Sequence, residues 1–271
     1  MIIVGERCNI LNPAIFRAVE ERDEKAFVSV VEQQIEAGAD ALEVNLGVCR
    51  RASENWLPWA ISVIRSAAEI PLFITAPAEA LAPGLKEAGE GAWINGATAD
   101  EARLESMLAA AECFGAGVVI MLVREGFLPS CLEEMVIMAE GVLELAEKRG
   151  FPLDRIMIDP ILRPRSDVAA SLLARAMPDI TLFMDALHII SQLRQEKVRT
   201  VVGLSNISLG LSRHSRSRLH CQVLSMLAIS GLDAAIVNTK DGELMALARQ
   251  LASQEMPDTW QNRFSPASIG I

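Results

Sequence analysis

Amide, hydroxyl and carboxyl side chains follow short apolar stretches at repeated intervals along this chain. The polar residues in these positions are Glu6, Arg7, Asn9, Glu43, Asn45, Thr75, Asn95, Asp159, Ser205, Asn206, Asn238, Thr239, Lys240 and Asp241. An asparagine offers both a hydrogen-bond donor and an acceptor, so asparagines and a carboxylate together can read the edge of a heterocyclic ring. The set lacks histidine and cysteine and would make a poor hydrolase. These residues favour a site that orients a heterocycle.

Each of these residues also has an ordinary structural explanation. Asparagine at a strand end often closes a turn, and the Asp159-Pro160 pair is a common turn sequence. Glu6 and Arg7 could form an ion pair at the end of the sheet, and the basic segment at 213–218 could be a solvated loop. Polar residues that coincide at four or more strand ends are harder to attribute to turns alone, and they indicate a site.

Histidine and cysteine occupy positions that predict neither a metal site nor a disulfide framework. His188, His214 and His220 lie in predicted helices or in the basic segment. The cysteines are Cys8, Cys49, Cys113, Cys131 and Cys221. Their number is odd and no C-x-x-C pair occurs, so we expect no bound metal and no disulfide framework. Free thiols are typical of the reducing cytoplasm.

Composition narrows the class of protein further. The hydrophobic fraction is 51% of 271 residues, which is enough for a large core. The net charge of −10 disfavours general nucleic-acid binding, which needs a basic face. The N-terminus does not resemble a signal peptide, and no apolar stretch reaches the ~18 residues of a membrane span. We expect a cytoplasmic protein that binds neither nucleic acid nor membrane.

Apolar runs alternate with amphipathic helical patterns along the chain. The runs predict strands at 1–6, 41–47, 71–76, 91–96, 116–123, 155–160, 200–206 and 233–238. The helical patterns lie at 26–39, 56–70, 79–89, 99–115, 131–150, 167–176, 185–195, 219–231 and 242–253. Continuous apolar strands indicate burial on both faces and a parallel sheet. The repeated βα units predict a single (β/α)₈ TIM barrel domain over residues 1–271, with its active face at the carboxyl ends of the strands.

The alternative architecture is a doubly wound open sheet. Such sheets usually have fewer strands, and their phosphate-binding G-x-G-x-x-G turn does not follow the first strand here. The barrel is therefore the predicted fold.

The 2-amino, N3–H and 4-oxo groups of a pterin present the kind of edge that asparagines and a carboxylate can read. The motifs VGERCN at 4–9, ALEVNLG at 41–47, WING at 93–96, MIDPIL at 157–162 and GLSNIS at 203–208 occur in this order. In this combination the chain resembles the pterin-binding methyltransferase family, and most closely its methyltetrahydrofolate:corrinoid protein methyltransferases. The folate module of cobalamin-dependent methionine synthase and, more distantly, dihydropteroate synthase are related to that group.

The resemblance implies a homodimeric (β/α)₈ barrel that binds methyltetrahydrofolate in its mouth. The N5-methyl group would pass to or from the cobalt of a corrinoid carried by a partner protein. Asn95 and Asp159 would hydrogen-bond the pterin edge, and Asn206 would lie beside N5. The further residues that the resemblance implies for the pocket are Gly203, Ser205, Asn45 and Glu6.

One position departs from the pattern of the family. Members usually have an aspartate that ends the third strand and contacts the pterin, whereas Thr75 stands at the matching position here. A threonine can bond to the ring or to a water but supplies no negative charge. The departure puts the use of folate in question.

Two further interpretations remain open at this point. Arg213, Arg216 and Arg218 could meet the glutamate tail of folate or an acidic rim of the corrinoid protein. The barrel could also be a pterin-binding or regulatory protein without this activity. A dihydropteroate synthase is less well supported, because it would need a lysine after the seventh strand, where Ser205 and Asn206 stand.

Overall fold

Eight parallel strands close into a barrel in the order of the sequence. The computed structural model describes residues 1–47, 50–164 and 177–253. The strands are β1 (Ile2–Asn9), β2 (Ala41–Asn45), β3 (Leu72–Thr75), β4 (Trp93–Thr98), β5 (Gly117–Met121), β6 (Ile156–Asp159), β7 (Arg199–Gly203) and β8 (Ala234–Val237). Because β8 also pairs with β1, the sheet has no open edge. The predicted (β/α)₈ barrel is confirmed, and the open sheet is excluded.

Helices pack around the outside of the barrel. In the described ranges they are α1 (Pro13–Glu21), α2 (Glu24–Glu36), α3 (Arg50–Ala67), α4 (Ala78–Ala88), α5 (Glu101–Phe114), α6 (Leu132–Arg149), α7 (Ile180–Ile190), α8 (Arg213–Ile229) and α9 (Gly242–Ser253). The helical pattern predicted at 167–176 lies outside the described residues. The barrel elements run from Ile2 to Ser253, and the assignment of all 271 residues to one domain stays a prediction.

Helix α1 was not expected from the hydrophobic pattern. It fills the segment between β1 and α2 and begins where local signals favour a helix. The Asn12 side chain accepts a hydrogen bond from the backbone N–H of Ala14, and Pro13 occupies the first helical position. The helix buries Ile15, Ala18 and Val19 against the core.

The basic segment at 213–218 is helical, which corrects its interpretation as a loop. Helix α8 begins at Arg213, six residues before the predicted start at 219. Ser212 caps the helix, because its side chain accepts from the backbone N–H of Ser215. Its first turns carry arginines that interrupt the apolar pattern, and for that reason the pattern alone placed the start too late.

The lower part of the barrel is filled by apolar side chains. Alternate residues of each strand point inward, and the inward cluster comprises Ile2, Val4, Ala41, Phe73, Trp93, Val119, Met157, Val201, Ala234 and Ile236. The rings of Phe73 and Trp93 stack with centroids 5.7 Å apart. A Cβ at Gly117 would lie 2.5 Å from the indole, so the absence of a side chain there leaves room for Trp93. This packing forms a closed floor beneath the next inward positions, which are mostly polar.

Candidate active site

A ring of polar side chains lies above the apolar floor, at the carboxyl ends of the strands. Continuing the inward alternation of each strand leads to Glu6, Glu43, Asn45, Thr75, Asn95, Asp159 and Gly203. Met121 takes the equivalent position on β5. The ring brings together the predicted residues of six strands, since the strands are parallel and end at one face.

The carboxyl group of Glu43 is the centre of the densest hydrogen-bond cluster in this ring. Its Oε1 atom accepts from Thr75 Oγ1 at 3.1 Å, from Asn95 Nδ2 at 3.1 Å and from Asn45 Nδ2 at 3.4 Å. Asn95 Nδ2 also lies 3.1 Å from Thr75 Oγ1. Burial raises the pKa of Glu43, and the hydrogen bonds from Thr75, Asn45 and Asn95 oppose that rise. Sequence reasoning noted Glu43 at a strand end but gave it no role in the site.

A bulge on β4 sets the position of Asn95. Asn95 pairs with Val119 and Ala97 with Ile120, so Gly96 is an extra residue on this strand. Gly96 has φ of 99°, a conformation that glycine adopts at little cost. The bulge changes the direction of β4 directly after Asn95, whose amide turns toward Thr75 and Glu43. The glycine in the WING motif was a signal for this bulge.

A second bulge on β1 positions Glu6. Gly5 pairs with Leu42 and Cys8 with Val44, so Glu6 and Arg7 together stand opposite Glu43. The backbone N–H of Arg7 donates to Gln34 Oε1 of α2 at 2.8 Å, because no β2 partner faces it. A Cβ at Gly5 would lie 2.6 Å from this oxygen, so glycine is needed for the contact. The fully buried Gln34 was missed from the sequence.

Glu6 makes a hydrogen bond across the mouth to the turn after β7. Ser205 Oγ donates to Glu6 Oε1 at 2.6 Å. Burial raises the pKa of Glu6 to about 7, the hydrogen bond from Ser205 lowers it, nearby Glu43 raises it and Arg216 lowers it. The ion pair considered between Glu6 and Arg7 is not the arrangement found, because Arg7 Nη2 turns outward and donates to Gln33 Oε1 at 3.0 Å.

Asp159 ends β6 on the side of the ring facing away from Glu43. Its Oδ1 accepts from the backbone N–H of Ile161 at 2.8 Å. Ile161 has φ of 59°, an unusual value for a β-branched residue and the sort of strain that functional sites often carry. Burial raises the pKa of Asp159 to about 7, and the bond from Ile161 opposes that rise. One carboxyl oxygen of Asp159 therefore closes the turn expected for an Asp-Pro pair. The carboxyl group is nevertheless part of the polar ring.

Ser205 and Asn206 lie in a short 3₁₀ turn, Leu204–Ile207, and not on β7 as the apolar run suggested. The strand ends at Gly203. A Cβ at Gly203 would lie 3.2 Å from Asn206 Nδ2, so the amide folds closely over the end of the strand. Ile207 and Leu204 are buried and anchor the turn, while the side chain of Asn206 is exposed at the mouth.

The three arginines differ in their surroundings. Arg213 and Arg218 are exposed on the first turns of α8. Arg216 is half-buried, and its Nη2 approaches the carbonyl oxygen of Leu211 at 3.4 Å. It lies close enough to Glu6 to lower the pKa of that carboxyl group. Of the three, Arg216 belongs to the electrostatic surroundings of the ring.

Other polar residues at the strand ends close turns, as their ordinary interpretation allowed. Asn9 Oδ1 accepts from Leu11 N at 2.9 Å, and Asn238 Oδ1 accepts from Lys240 N at 3.0 Å. Asp241 instead lies at the start of α9, where its Oδ1 accepts from Leu244 N at 3.2 Å and from Ser217 Oγ at 2.7 Å.

The described residues contain neither a grouped set of metal-ligating side chains nor a helix suited to a membrane. In those ranges no three His, Cys, Asp or Glu side chains are grouped as a metal site. None of the described helices is long and apolar enough to cross a membrane.

Comparison with known proteins gives one family match and several similar proteins. Residues 5–238 match the family described as pterin binding enzyme. The chain is 27% identical over 253 residues to the methylcorrinoid:tetrahydrofolate methyltransferase of Eubacterium limosum, covering 90% of this chain and 88% of that protein. It is 24% identical over 246 residues to the methionine synthase of Mycobacterium leprae, covering 88% of this chain and only 20% of that much longer protein.

Solved structures support the fold. The dihydropteroate synthase of Xanthomonas albilineans in complex with 7,8-dihydropteroate superimposes with a TM-score of 0.67 at 18% identity, covering 94% of both chains. A truncated 3-deoxy-D-arabino-heptulosonate 7-phosphate synthase of Thermotoga maritima gives a TM-score of 0.60 at 15% identity, covering 94% of this chain and 87% of that one. At these identities the likeness concerns the barrel alone.

Proposed function

Because the chain belongs to the pterin binding enzyme family, we propose that it moves the N5-methyl group between methyltetrahydrofolate and the cobalt of a corrinoid. The corrinoid would be carried by a partner protein. The observation that carries the proposal is the similarity, over nearly the full length of both chains, to a methylcorrinoid:tetrahydrofolate methyltransferase. The ring of amides and carboxyl groups in the barrel mouth supports it.

The proposed pterin site uses the two sides of this ring. Asp159, when ionised, accepts from N3–H and the 2-amino group and so orients the heterocycle. Asn95 completes the hydrogen bonding at the pterin edge. Asn45 supports the site through its bond to Glu43.

The missing aspartate on β3 is compensated in this proposal by Glu43. Its carboxyl group reaches from β2 to the hydroxyl of Thr75, so an acidic group stands beside the end of β3 although that strand carries none. The Thr75 hydroxyl then acts with Asn95 to hold this carboxyl group in place. An acidic group on β2 therefore remains next to the end of β3, although β3 itself ends in a threonine.

The reaction requires little from the protein besides binding and polarisation. The nucleophile is cobalt when the methyl group leaves folate, and N5 when it returns. A tertiary amine leaves poorly because negative charge develops on nitrogen, so a hydrogen-bond donor at N5 lowers the barrier. Asn206 provides such a donor at the exposed end of the turn, beside Ser205 and Gly203. Holding the methyl group in line with cobalt supplies much of the remaining acceleration.

The rim of the barrel mouth is suited to a large partner. Three of the loops at this face carry exposed apolar side chains: Leu11 after β1, Phe127 and Leu128 after β5, and Leu209 after β7. Arg213 and Arg218 are exposed on the first turns of α8, which follows Leu209 in the chain. They would favour an acidic rim on the corrinoid protein or, alternatively, the glutamate tail of folate. An open rim of this kind allows a macrocycle to approach the pterin.

We also expect a homodimer. Adjacent helices α6, α7 and α8 expose Ile137, Ile189, Met226 and Ile229 on the outside of the barrel. Exposed apolar groups on neighbouring helices are typical of a subunit interface. Sedimentation equilibrium of the wild type and of Ile137→Glu with Ile229→Glu tests this, since the double variant should be a monomer that keeps its folate affinity. A monomeric wild type would contradict the expectation.

The test of the function is an anaerobic methyl-transfer assay followed by visible absorbance. Methyltetrahydrofolate with cob(I)alamin tests one direction, and methylcobalamin with tetrahydrofolate tests the other. Calorimetry measures folate binding in parallel, and reactions without protein give the background. Protein-dependent transfer in either direction supports the proposal.

Two results would favour another function. Folate binding without transfer in either direction, also in the presence of a corrinoid protein, would favour a binding or regulatory barrel. Condensation of a dihydropterin pyrophosphate with 4-aminobenzoate would indicate a dihydropteroate synthase.

A further inference from the structure

We propose that Glu6 and Ser205 form a proton-transfer pair that exchanges the proton of folate N5 during methyl transfer. The inference deepens the proposed function and rests on it. It assigns a catalytic role to a carboxyl group and a hydroxyl group that sequence reasoning placed in the pocket without a chemical task.

The first support is the position of the pair. Ser205 Oγ lies 2.6 Å from Glu6 Oε1, across the carboxyl end of β8, in a part of the mouth where both side chains are half-buried. Asn206, the residue proposed to lie beside N5, is the next residue of the same turn. An amide can polarise N5 but does not deliver a proton at neutral pH. A hydroxyl can pass a proton on, because it donates one hydrogen while it accepts another.

The second support is that several elements cooperate to aim Glu6 inward. The β1 bulge removes Glu6 and Arg7 from regular pairing, and Gln34 takes over the free N–H of Arg7. Gly5 leaves the space that Gln34 occupies. Bulges often redirect a side chain beside an active site. Withdrawing a carboxyl group partly from solvent is costly unless its surroundings suit it, so a merely structural contact to Ser205 would be served as well by an amide.

The third support is the balance of charges around Glu6. Burial and Glu43 on β2 favour the protonated form, whereas Ser205 and Arg216 on α8 favour the ionised form, and together they bring the pKa to about 7. The other charged groups near β1 are engaged elsewhere or lie in solvent: Asp40 accepts from Ile3 N, Asp241 accepts from Ser217, Arg7 donates to Gln33, and Lys240 is exposed. A group with this pKa exchanges protons at neutral pH in both directions.

The step balances in each direction. When folate donates its methyl group, the electron pair of cob(I)alamin forms the Co–C bond and the N5–C pair stays on nitrogen. N5 then takes a proton from Ser205 Oγ, which takes one from the Glu6 carboxyl group, and solvent restores the proton to Glu6. When folate accepts the methyl group, the N5 pair forms the N–C bond and the Co–C pair returns to cobalt. The N5 proton then passes through Ser205 to the Glu6 carboxylate.

The experiment measures single-turnover transfer with free cobalamin, at saturating folate, from pH 5.5 to 8.5. In the wild type, transfer from methyltetrahydrofolate should slow as the pH rises through about 7, because Glu6 must be protonated. Transfer from methylcobalamin to tetrahydrofolate should quicken over the same range, because Glu6 must then be ionised. Because folate is saturating, these changes in transfer rate do not include any pH dependence of folate binding.

Variants of Glu6 and Ser205 test whether these two residues cause the pH dependence of the transfer rate. Glu6→Gln keeps the hydrogen bond to Ser205 but has no acidic proton to exchange. Its transfer rate at pH 7 should fall by about 10²-fold, and the change of rate with pH near 7 should disappear. Ser205→Ala should lose rate by at least ~10-fold. Tetrahydrofolate affinity should stay within about threefold in both. Ser225→Ala on α8, which loses only a bond to its own helix, is the matched control and should match the wild type.

Several outcomes would overturn the inference. If Glu6→Gln retains the wild-type transfer rate and its change with pH near 7, Glu6 has no role in proton transfer. The proposed function would remain intact. Equal losses of folate affinity and rate would indicate a structural role. If the variants fail to fold, the wild type still tests the inference. A transfer rate that changes with pH in the same sense in both directions would contradict proton transfer by Glu6 and Ser205. Only a wild type without transfer in either direction, with free cobalamin and also with a corrinoid protein, would remove the proposed function as well.

Discussion

The hydroxyl of Thr75 donates to Glu43 Oε1 across the β2–β3 pair at 3.1 Å. The register places Thr75 beside Asn45 and therefore diagonally across from Glu43. The acidic group beside the end of β3 thus comes from the neighbouring strand. Three neutral donors share this oxygen, which explains how a buried carboxyl group is accommodated in the ring without a cationic side chain bonded to that oxygen.

Replacing the carboxyl group of Glu43 by an amide should weaken folate binding. We expect Glu43→Gln to raise the tetrahydrofolate Kd by about tenfold or more, because hydrogen bonds to charged groups contribute ~1.5–3 kcal/mol. Thr75→Val should cost less, since Asn45 and Asn95 still donate to Glu43. Calorimetry measures both affinities, and circular dichroism checks that the fold is intact.

Moving the acid back to β3 is the matched control. Thr75→Asp alone places two carboxyl groups side by side and should weaken binding, because like charges at this distance disfavour ionisation. Thr75→Asp combined with Glu43→Gln should recover most of the affinity. If the double variant binds as poorly as Glu43→Gln, the compensation between the two strands does not exist.

Asn206 should matter for the rate more than for binding. We expect Asn206→Ala to keep folate affinity within a few-fold and to slow methyl transfer by about 10²-fold, because its amide is assigned to N5 as the bond changes. Single-turnover kinetics and calorimetry on the same preparation separate the two effects. A loss of affinity as large as the loss of rate would contradict this assignment.

Asp159 should make folate binding depend on pH. Its pKa of about 7 in the free protein means that the carboxylate needed by the pterin donors is present mainly above neutral pH. Tetrahydrofolate affinity should therefore rise from pH 6 to pH 8 in the wild type. Asp159→Asn should bind weakly at pH 8 and show little of this dependence.

The control for Asp159 is the other carboxyl group that has a pKa near 7. Glu6→Gln should retain the rise in affinity with pH, because Glu6 is assigned to the proton of N5 and not to the pterin edge. Unaltered binding by Asp159→Asn would remove Asp159 from that edge.

Gly5 should be intolerant of a side chain. An alanine Cβ would lie 2.6 Å from Gln34 Oε1 and 3.2 Å from Thr239 Cγ2, so Gly5→Ala should lower the free energy of unfolding by about 1–3 kcal/mol. Urea unfolding measures the change. Gly242→Ala is the control, because its Cβ would meet nothing within 4 Å, and its stability should stay within ~1 kcal/mol of the wild type. Equal stabilities of the two variants would mean that Gln34 does not hold β1.

Much of the fold follows from patterns that are local in the sequence. Apolar runs and helical periodicity located all of the strands of the barrel, because a strand buried on both faces must be apolar throughout. The predicted ends of helices and strands were less accurate where polar or charged residues lie within or beside an apolar pattern. Ser205 and Asn206 extend the seventh apolar run but form a turn, and the arginines of 213–218 hide the beginning of α8. Helix α1 was missed because its short apolar face adds little periodicity.

The sequence by itself determined the barrel, the family resemblance and the set of polar residues at the strand ends. Only the tertiary structure decided how these residues act on each other. The contacts of Glu43 with Thr75 and Asn95, and of Glu6 with Ser205, join residues 32, 52 and 199 positions apart. Such contacts depend on strand register, on the bulges at Gly96 and after Gly5, and on barrel closure. The pKa values of the carboxyl groups depend on burial, which is a property of the closed fold and not of any segment.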